Sequence, residues 1–153
     1  MSVVKNIFLL LVFFSMVNCK DTKLNVQELE EFGITMEVND DIVIQNNSPV
    51  EDYLVLNIKL SENNLVAYVG NQPDFKQDSL SLKSTAFVKS KDGFRLIMYS
   101  WMESDSLFSN HSLIDLSSSK EFPQFLHVSY SNVPSFVKKR FDEIINSISV
   151  KGN

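Results

Sequence analysis

The sequence predicts an α+β fold: an antiparallel sheet of about seven strands, a short N-terminal helix, and a C-terminal amphipathic helix packed on the sheet. Three observations lead there. Apolar and polar residues alternate over Ile34–Asn39 and along Leu54, Leu56, Ile58 and Leu60, the period-two pattern of half-buried strands. Lys91-Asp92-Gly93 carries the Asp-Gly pair that suits the type I′ turn of a two-residue hairpin. Val133, Phe136, Val137, Phe141, Ile144 and Ile148 recur at helical spacing with Lys138, Lys139, Asp142 and Glu143 opposite, as in a helix that buries one side. Helices grouped on an antiparallel sheet define the class.

The elements follow in order. Lys5 is the only charged residue before Lys20, and Ile7 to Val17 is apolar except for Ser15. That run is shorter than the roughly 20 apolar residues a bilayer crossing needs. With its basic start it reads as a secretory signal, and a cut before Cys19 would make residues 1–18 the signal peptide. Residues 19–24 read as a tether and residues 25–153 as one domain. Asn25-Val26-Gln27-Glu28 has the pattern of a capped helix start, with Leu24 and Leu29 at the positions of a hydrophobic staple. A helix is expected over residues 26–32, ended by Gly33 in the left-handed conformation.

The alternating strand at Ile34 turns at Asn39-Asp40-Asp41 and returns over Ile42–Gln45, and Asn46–Pro49 is a loop. The strand Tyr53–Leu60 is expected to turn at Ser61–Asn64, since Asn tolerates positive φ, and to return over Leu65–Val69. Phe75–Ser79 is a polar link, and Leu80–Ser90 and Phe94–Trp101 flank the Asp-Gly turn. Glu103–Lys120 is rich in serine and acidic residues and is expected to be raggedly helical or irregular, a variable loop. Phe125–Tyr130 is a strand introduced by Pro123, and Asn132-Val133-Pro134 starts the last helix with proline in its first turn.

Composition narrows the function. Cutting residues 1–18 from the 153 leaves 135, an ordinary domain size. Cys19 is the single cysteine, so no intrachain disulfide forms. The net charge of −5 becomes one unit more negative without Lys5. That sign opposes nucleic acid and does not favour an anionic bilayer, so the domain is expected to stand off the membrane on its tether. The glycines Gly33, Gly70, Gly93 and Gly152 are isolated, which excludes a phosphate-cradling loop; no cofactor is implied.

Ser15-Met16-Val17-Asn18-Cys19-Lys20 has no small-x-small cleavage site but places a cysteine at the foot of the apolar run. It resembles a bacterial lipoprotein signal. The resemblance implies lipid on Cys19, cleavage before it by signal peptidase II, and acylation of the new N-terminus with chains such as palmitate. Asn18 and Met16 depart from the usual small residue and leucine, and look like the looser pattern of Bacteroidota lipoproteins. Lys20-Asp21 resembles the export tag of that phylum's surface lipoproteins, with only one acidic residue after the lysine. The implied location is the cell envelope, as an outer-membrane lipoprotein that is periplasmic or surface-exposed. Several acyl chains hold a protein stably where one chain is marginal. The alternative is an ordinary secretory signal with Cys19 trimmed or left as a thiol. Strand pairs followed by a terminal helix ending in Ile145-Asn146-Ser147-Ile148 resemble PsbP-type α/β/α sandwich domains, which implies a non-enzymatic binding or assembly role.

Candidate chemistry is sparse. His111 and His127 are far apart in sequence without a local His partner, whereas zinc takes three or four ligands, so both are expected to be structural. No serine sits in Gly-x-Ser-x-Gly, and Ser131 reads as a cap. Asp40-Asp41 and Glu51-Asp52 are adjacent carboxylates in turns, solvated rather than spaced across a cleft. No catalytic residue and no metal ligand is assigned.

Tyr99 and Trp101 share a strand face, and Tyr68 and Tyr130 are placed as neighbours. Together with Gly70, Asn71, Pro73 and Phe75 of the unusual stretch Tyr68–Phe75, they make a candidate binding surface. Exposed, such aromatics anchor a partner or a sugar; buried, they fill the core under the terminal helix. Asp78-Ser79-Leu80 and Asp105-Ser106-Leu107 resemble Bacteroidota O-glycosylation acceptors, making Ser79 and Ser106 candidates. The expected function is a lipid-anchored, non-catalytic binding domain for a protein partner. The alternatives are a toxin-immunity lipoprotein, whose acidic charge faces a basic toxin, and a small glycan-active or hydrolytic enzyme using His111 or His127.

Overall fold

The computed structural model describes residues 22–48, 53–71, 85–91 (backbone only), 94–116 and 123–151. In chain order these form β1 (Lys23–Asn25), α1 (Gln27–Glu30), β2 (Ile34–Thr35), β3 (Glu37–Asn39), β4 (Val43–Asn46), β5 (Leu54–Leu60) and β6 (Asn63–Gly70). There follow β7 (Thr85–Lys91), β8 (Phe94–Ser104), β9 (Leu107–Asp115), β10 (Phe125–Pro134), α2 (Ser135–Ser147) and β11 (Ser149–Val150).

The main sheet has seven strands in the order β4-β5-β6-β10-β9-β8-β7, every pair antiparallel. The expected α+β class and strand number hold. The topology is not one meander. Two meanders, β4 to β6 and β7 to β10, meet where β10 pairs with β6, so β7 lies on the far edge. Two small ribbons, β1–β3 and β2–β11, flank the sheet.

One face of the sheet carries the core. Leu54, Leu56 and Ile58 of β5, Leu65, Ala67 and Val69 of β6, and Leu126, Val128 and Tyr130 of β10 alternate inward. They meet Val137, Phe141, Ile144 and Ile145 of α2. Burying each such side chain contributes about 1.5–3 kcal/mol, which holds α2 in place more firmly than its intrinsic propensity. Phe136 is a correction: it is 68% exposed. It lies on the helix row of Arg140, Glu143 and Ser147, beside the buried row rather than in it.

The N-terminus departs from expectation in detail. Val26, not Asn25, precedes α1, and no side chain caps the helix. The Val26 N–H donates to the Met36 carbonyl, which keeps the chain extended one residue further. Leu24 is 51% exposed, so no staple forms. Gly33 does close α1 at φ +69°, with its N–H on the Glu30 carbonyl. Ile34, Met36 and Val38 are buried as their alternation predicts.

The β5–β6 turn is tighter than expected. Leu60 pairs with Asn63, and the positive φ of 55° falls on Ser61 rather than an asparagine. Lys91 pairs with Phe94, as a two-residue loop requires; Asp92 and Gly93 themselves lie outside the described residues, as do Phe75–Ser79.

The largest correction concerns residues 103–120. Leu107–Asp115 is not a loop but β9, a central strand hydrogen-bonded on both sides. Its core-facing positions run Phe108, Asn110, Ser112, Ile114, and the polar middle hides the apolar alternation. The polar pair is satisfied internally: the Ser112 hydroxyl donates to Asn110 Oδ1 at 2.7 Å. Among the described residues no buried side-chain nitrogen or oxygen lacks a partner. α2 also starts later than expected, with Pro134 extended at its N-cap position.

Candidate functional site

The register places a second set of side chains on the sheet face away from α2. Trp101 lies opposite Ser109, Tyr99 opposite His111, His111 opposite Ser129, and His127 opposite both Leu113 and Tyr68. His111 and His127 are therefore diagonal neighbours across β9 and β10. Their nitrogens, His111 Nδ1 and His127 Nε2, are 3.0 Å apart, with ring centroids at 5.1 Å and planes inclined by 17°. With centroids that far apart and nitrogens that close, the rings meet edge to edge. Trp101 lies near-parallel to His111 on the other side, at 5.5 Å and 8°. Trp101, His111 and His127 thus form a strip of three rings over three strands.

The strip is braced at the Trp101 end. The Trp101 indole N–H donates to Glu103 Oε1, and the Ser109 hydroxyl donates to the same oxygen at 3.2 Å. Ser109 Oγ also accepts the Asn132 N–H at 3.1 Å. Asn132 has φ 55°, which asparagine tolerates better than most residues, at the register shift between Tyr130 and Val133. One carboxylate and one hydroxyl thus fix the Trp101 ring to the bulge of β10. His127 is buried and His111 partly so; burial holds the His111 pKa below its ordinary 6.5, so the ring is neutral near neutral pH. In the contact between the two imidazoles, one nitrogen must donate and the other accept.

The expected surface residues divide. Tyr68 lies on this second face, its ring 5.6 Å from that of Tyr53 and folded over Gly70, where a Cβ would overlap the Tyr68 hydroxyl. Asn71 is exposed, and its Oδ1 accepts the Gln124 N–H at 3.2 Å. Tyr99 shares the face with Trp101 but is only 4% exposed. Tyr130 is a correction: the register sets it on the opposite face from Tyr68. It is buried against Phe141 at 5.6 Å, with its hydroxyl donating to Asp142 at 2.7 Å. Ser106 is exposed in the β8–β9 turn. Cys19, Pro73, Phe75 and Ser79 lie outside the described residues.

The meeting of the two histidines was missed from sequence because β9 was read as a loop. As a strand, β9 sets His111 two positions from Ser109 and brings it beside β10. Among the described residues, no three His, Cys, Asp or Glu side chains are grouped to hold a metal ion. The strip can stack on an apolar or planar group at Trp101 and exchange a proton at His111.

No protein-family model and no curated protein matches the sequence. Among solved structures, the solution structure of cyanobacterial PsbP (CyanoP) from Synechocystis sp. PCC 6803 aligns with a TM-score of 0.54 at 10% identity. The alignment covers 90% of this chain and 99% of that one. The chain has a PsbP-like fold.

Proposed function

We propose that this protein is a lipid-anchored domain of the cell envelope that binds a protein partner without catalysing a reaction. Cys19 carries the lipid, and the outer membrane is the host bilayer. The observation that carries the binding reading is the braced Trp101. A partly exposed indole, stacked on His111 and tied by Glu103, is a rigid aromatic of the kind that anchors interfaces. The PsbP-like fold is consistent with binding or assembly.

The test is capture from native membranes. The C-terminally tagged protein, extracted in mild detergent, is expected to bring down one stoichiometric partner. Trp101→Ala is expected to lose that partner while the thermal unfolding of the domain shifts little. Capture unchanged by Trp101→Ala would move the interface elsewhere.

The His111–His127 contact favours a second reading, a small hydrolytic or glycan-active enzyme with neutral His111 as base. A His111→Ala/His127→Ala variant that stays folded but loses a phenotype would support it.

A further inference from the structure

The geometry points to one end of the domain as a membrane-seating surface, and we propose that a bilayer of low surface charge is what it contacts; this rests on lipidation of Cys19. The pairs Leu60 with Asn63, Ser104 with Leu107 and Pro134 with Leu107 bring the β5–β6 turn, the β8–β9 turn and the start of α2 to the same end of the sheet. Val43, opposite Lys59, lies there too. Among the described residues, four large apolar side chains are more than half exposed: Leu24 at 51%, Val43 at 56%, Met102 at 58% and Phe136 at 68%. Val43, Met102 and Phe136 all belong to this end. Three of the four most exposed large apolar side chains among the described residues thus share one end, a concentration that marks a contact surface.

The direction of the chain names the occupant. The Glu37 N–H donates to Ser147 Oγ at 2.9 Å, and Arg140 pairs with Asp41 at 2.7 Å. β3 therefore runs opposite to α2, and β1, antiparallel to β3, runs the same way as α2. The chain thus enters β1 from the side of the α2 N-terminus, and Leu24 is its second strand residue. Cys19 precedes Lys23 by four residues, a reach of at most about 14 Å. A lipid on Cys19 would therefore approach the domain from the side of this end. Exposed Lys139 stands one turn from Phe136, but Asp40, Glu62 and Asp105 are exposed at the same end. The carboxylates argue against an anionic surface and suit zwitterionic headgroups. Net charge alone suggested a domain standing off the membrane; the exposed apolar side chains at this end point the other way.

The full-length lipoprotein, taken from its own membranes and reconstituted in phosphatidylcholine–phosphatidylethanolamine vesicles, provides the test. With Cys19 acylated, Phe136→Cys carries the single reactive thiol for a polarity-sensitive fluorophore. Asn47→Cys, exposed at the opposite end, is the control. The probe at 136 is expected to shift to the blue and to be quenched by brominated phospholipid, while the probe at 47 stays in water. Equal exposure of both probes in acylated protein overturns the seating and leaves the anchor intact. A probe at 136 that leaves water only when other membrane proteins are added assigns this end to a protein and also overturns it. An unacylated mass overturns the anchor and this inference together.

Discussion

His111 Nδ1 and His127 Nε2 meet at 3.0 Å across the β9–β10 ladder, although the residues are 16 apart in sequence. The contact holds one proton between two rings. Protonating both rings would set two N–H donors and two like charges against each other in a partly buried site, where water screens them poorly.

Acid is therefore expected to weaken the fold through this pair. Burial lowers the His111 pKa below 6.5. Between the lowered folded value and about 6.5, the unfolded chain holds a proton that the folded chain does not, so stability rises with pH. The contribution is complete above about 6.5 and is lost as pH falls through that window. Denaturant midpoints measured at about pH 7 and about pH 5 should fall further for the native chain than for His111→Gln. Equal falls would remove His111 from the acid response.

Tyr130→Phe is expected to cost about 1.5–3 kcal/mol, the net value of a hydrogen bond to a charged acceptor. The hydroxyl donates to Asp142, which also pairs with Lys138. Burial first, then Asp142, raises the Tyr130 pKa above its ordinary 10. Its ionisation should therefore coincide with alkaline unfolding, and stability should fall as pH rises above about 10. Ultraviolet titration of Tyr130→Phe against the native chain checks both statements; a tyrosine that ionises before unfolding and vanishes in Tyr130→Phe contradicts them.

Gly70→Ala should destabilise by about 1–3 kcal/mol, as overpacking does. The new Cβ overlaps the Tyr68 hydroxyl and comes within 3.0 Å of Tyr53 Cβ. The same substitution in a Tyr68→Val background should cost much less, a coupling a double-mutant cycle measures. Additive effects would mean that the Tyr68 ring does not lie over Gly70.

Gly33→Ala should cost about 1 kcal/mol, because alanine is strained at φ +69°. The Gly33 carbonyl also accepts the Lys151 N–H at 2.8 Å, tying the turn after α1 to the residue that follows β11. Chemical denaturation of the variant reads the loss; an unchanged midpoint would place Gly33 outside the left-handed region.

Sequence pattern revealed the elements that bury a continuous apolar face. β5 and β6 alternate cleanly, and α2 carries its row at 137, 141, 144 and 145. Pattern failed where polar residues sit in the core or on bends. Asn110 and Ser112 satisfy each other inside β9, so that strand shows no apolar alternation. The pairing of β10 with β6 brings together residues more than fifty apart, which no local signal reports. The Trp101 and Tyr99 face was legible from their two-residue spacing. The His111–His127 contact was not, since it depends on β9 being a strand. The parity of β10 separates Tyr130 from His127 and put Tyr130 under α2 rather than beside Tyr68.

The proposed location and the membrane seating both depend on the anchor, so the intact mass of the protein extracted from its native membranes is the most direct measurement. A mass equal to Cys19–Asn153 plus acyl chains is the predicted result. A mature chain without acyl groups, whatever its N-terminus, would contradict the lipid-anchored account.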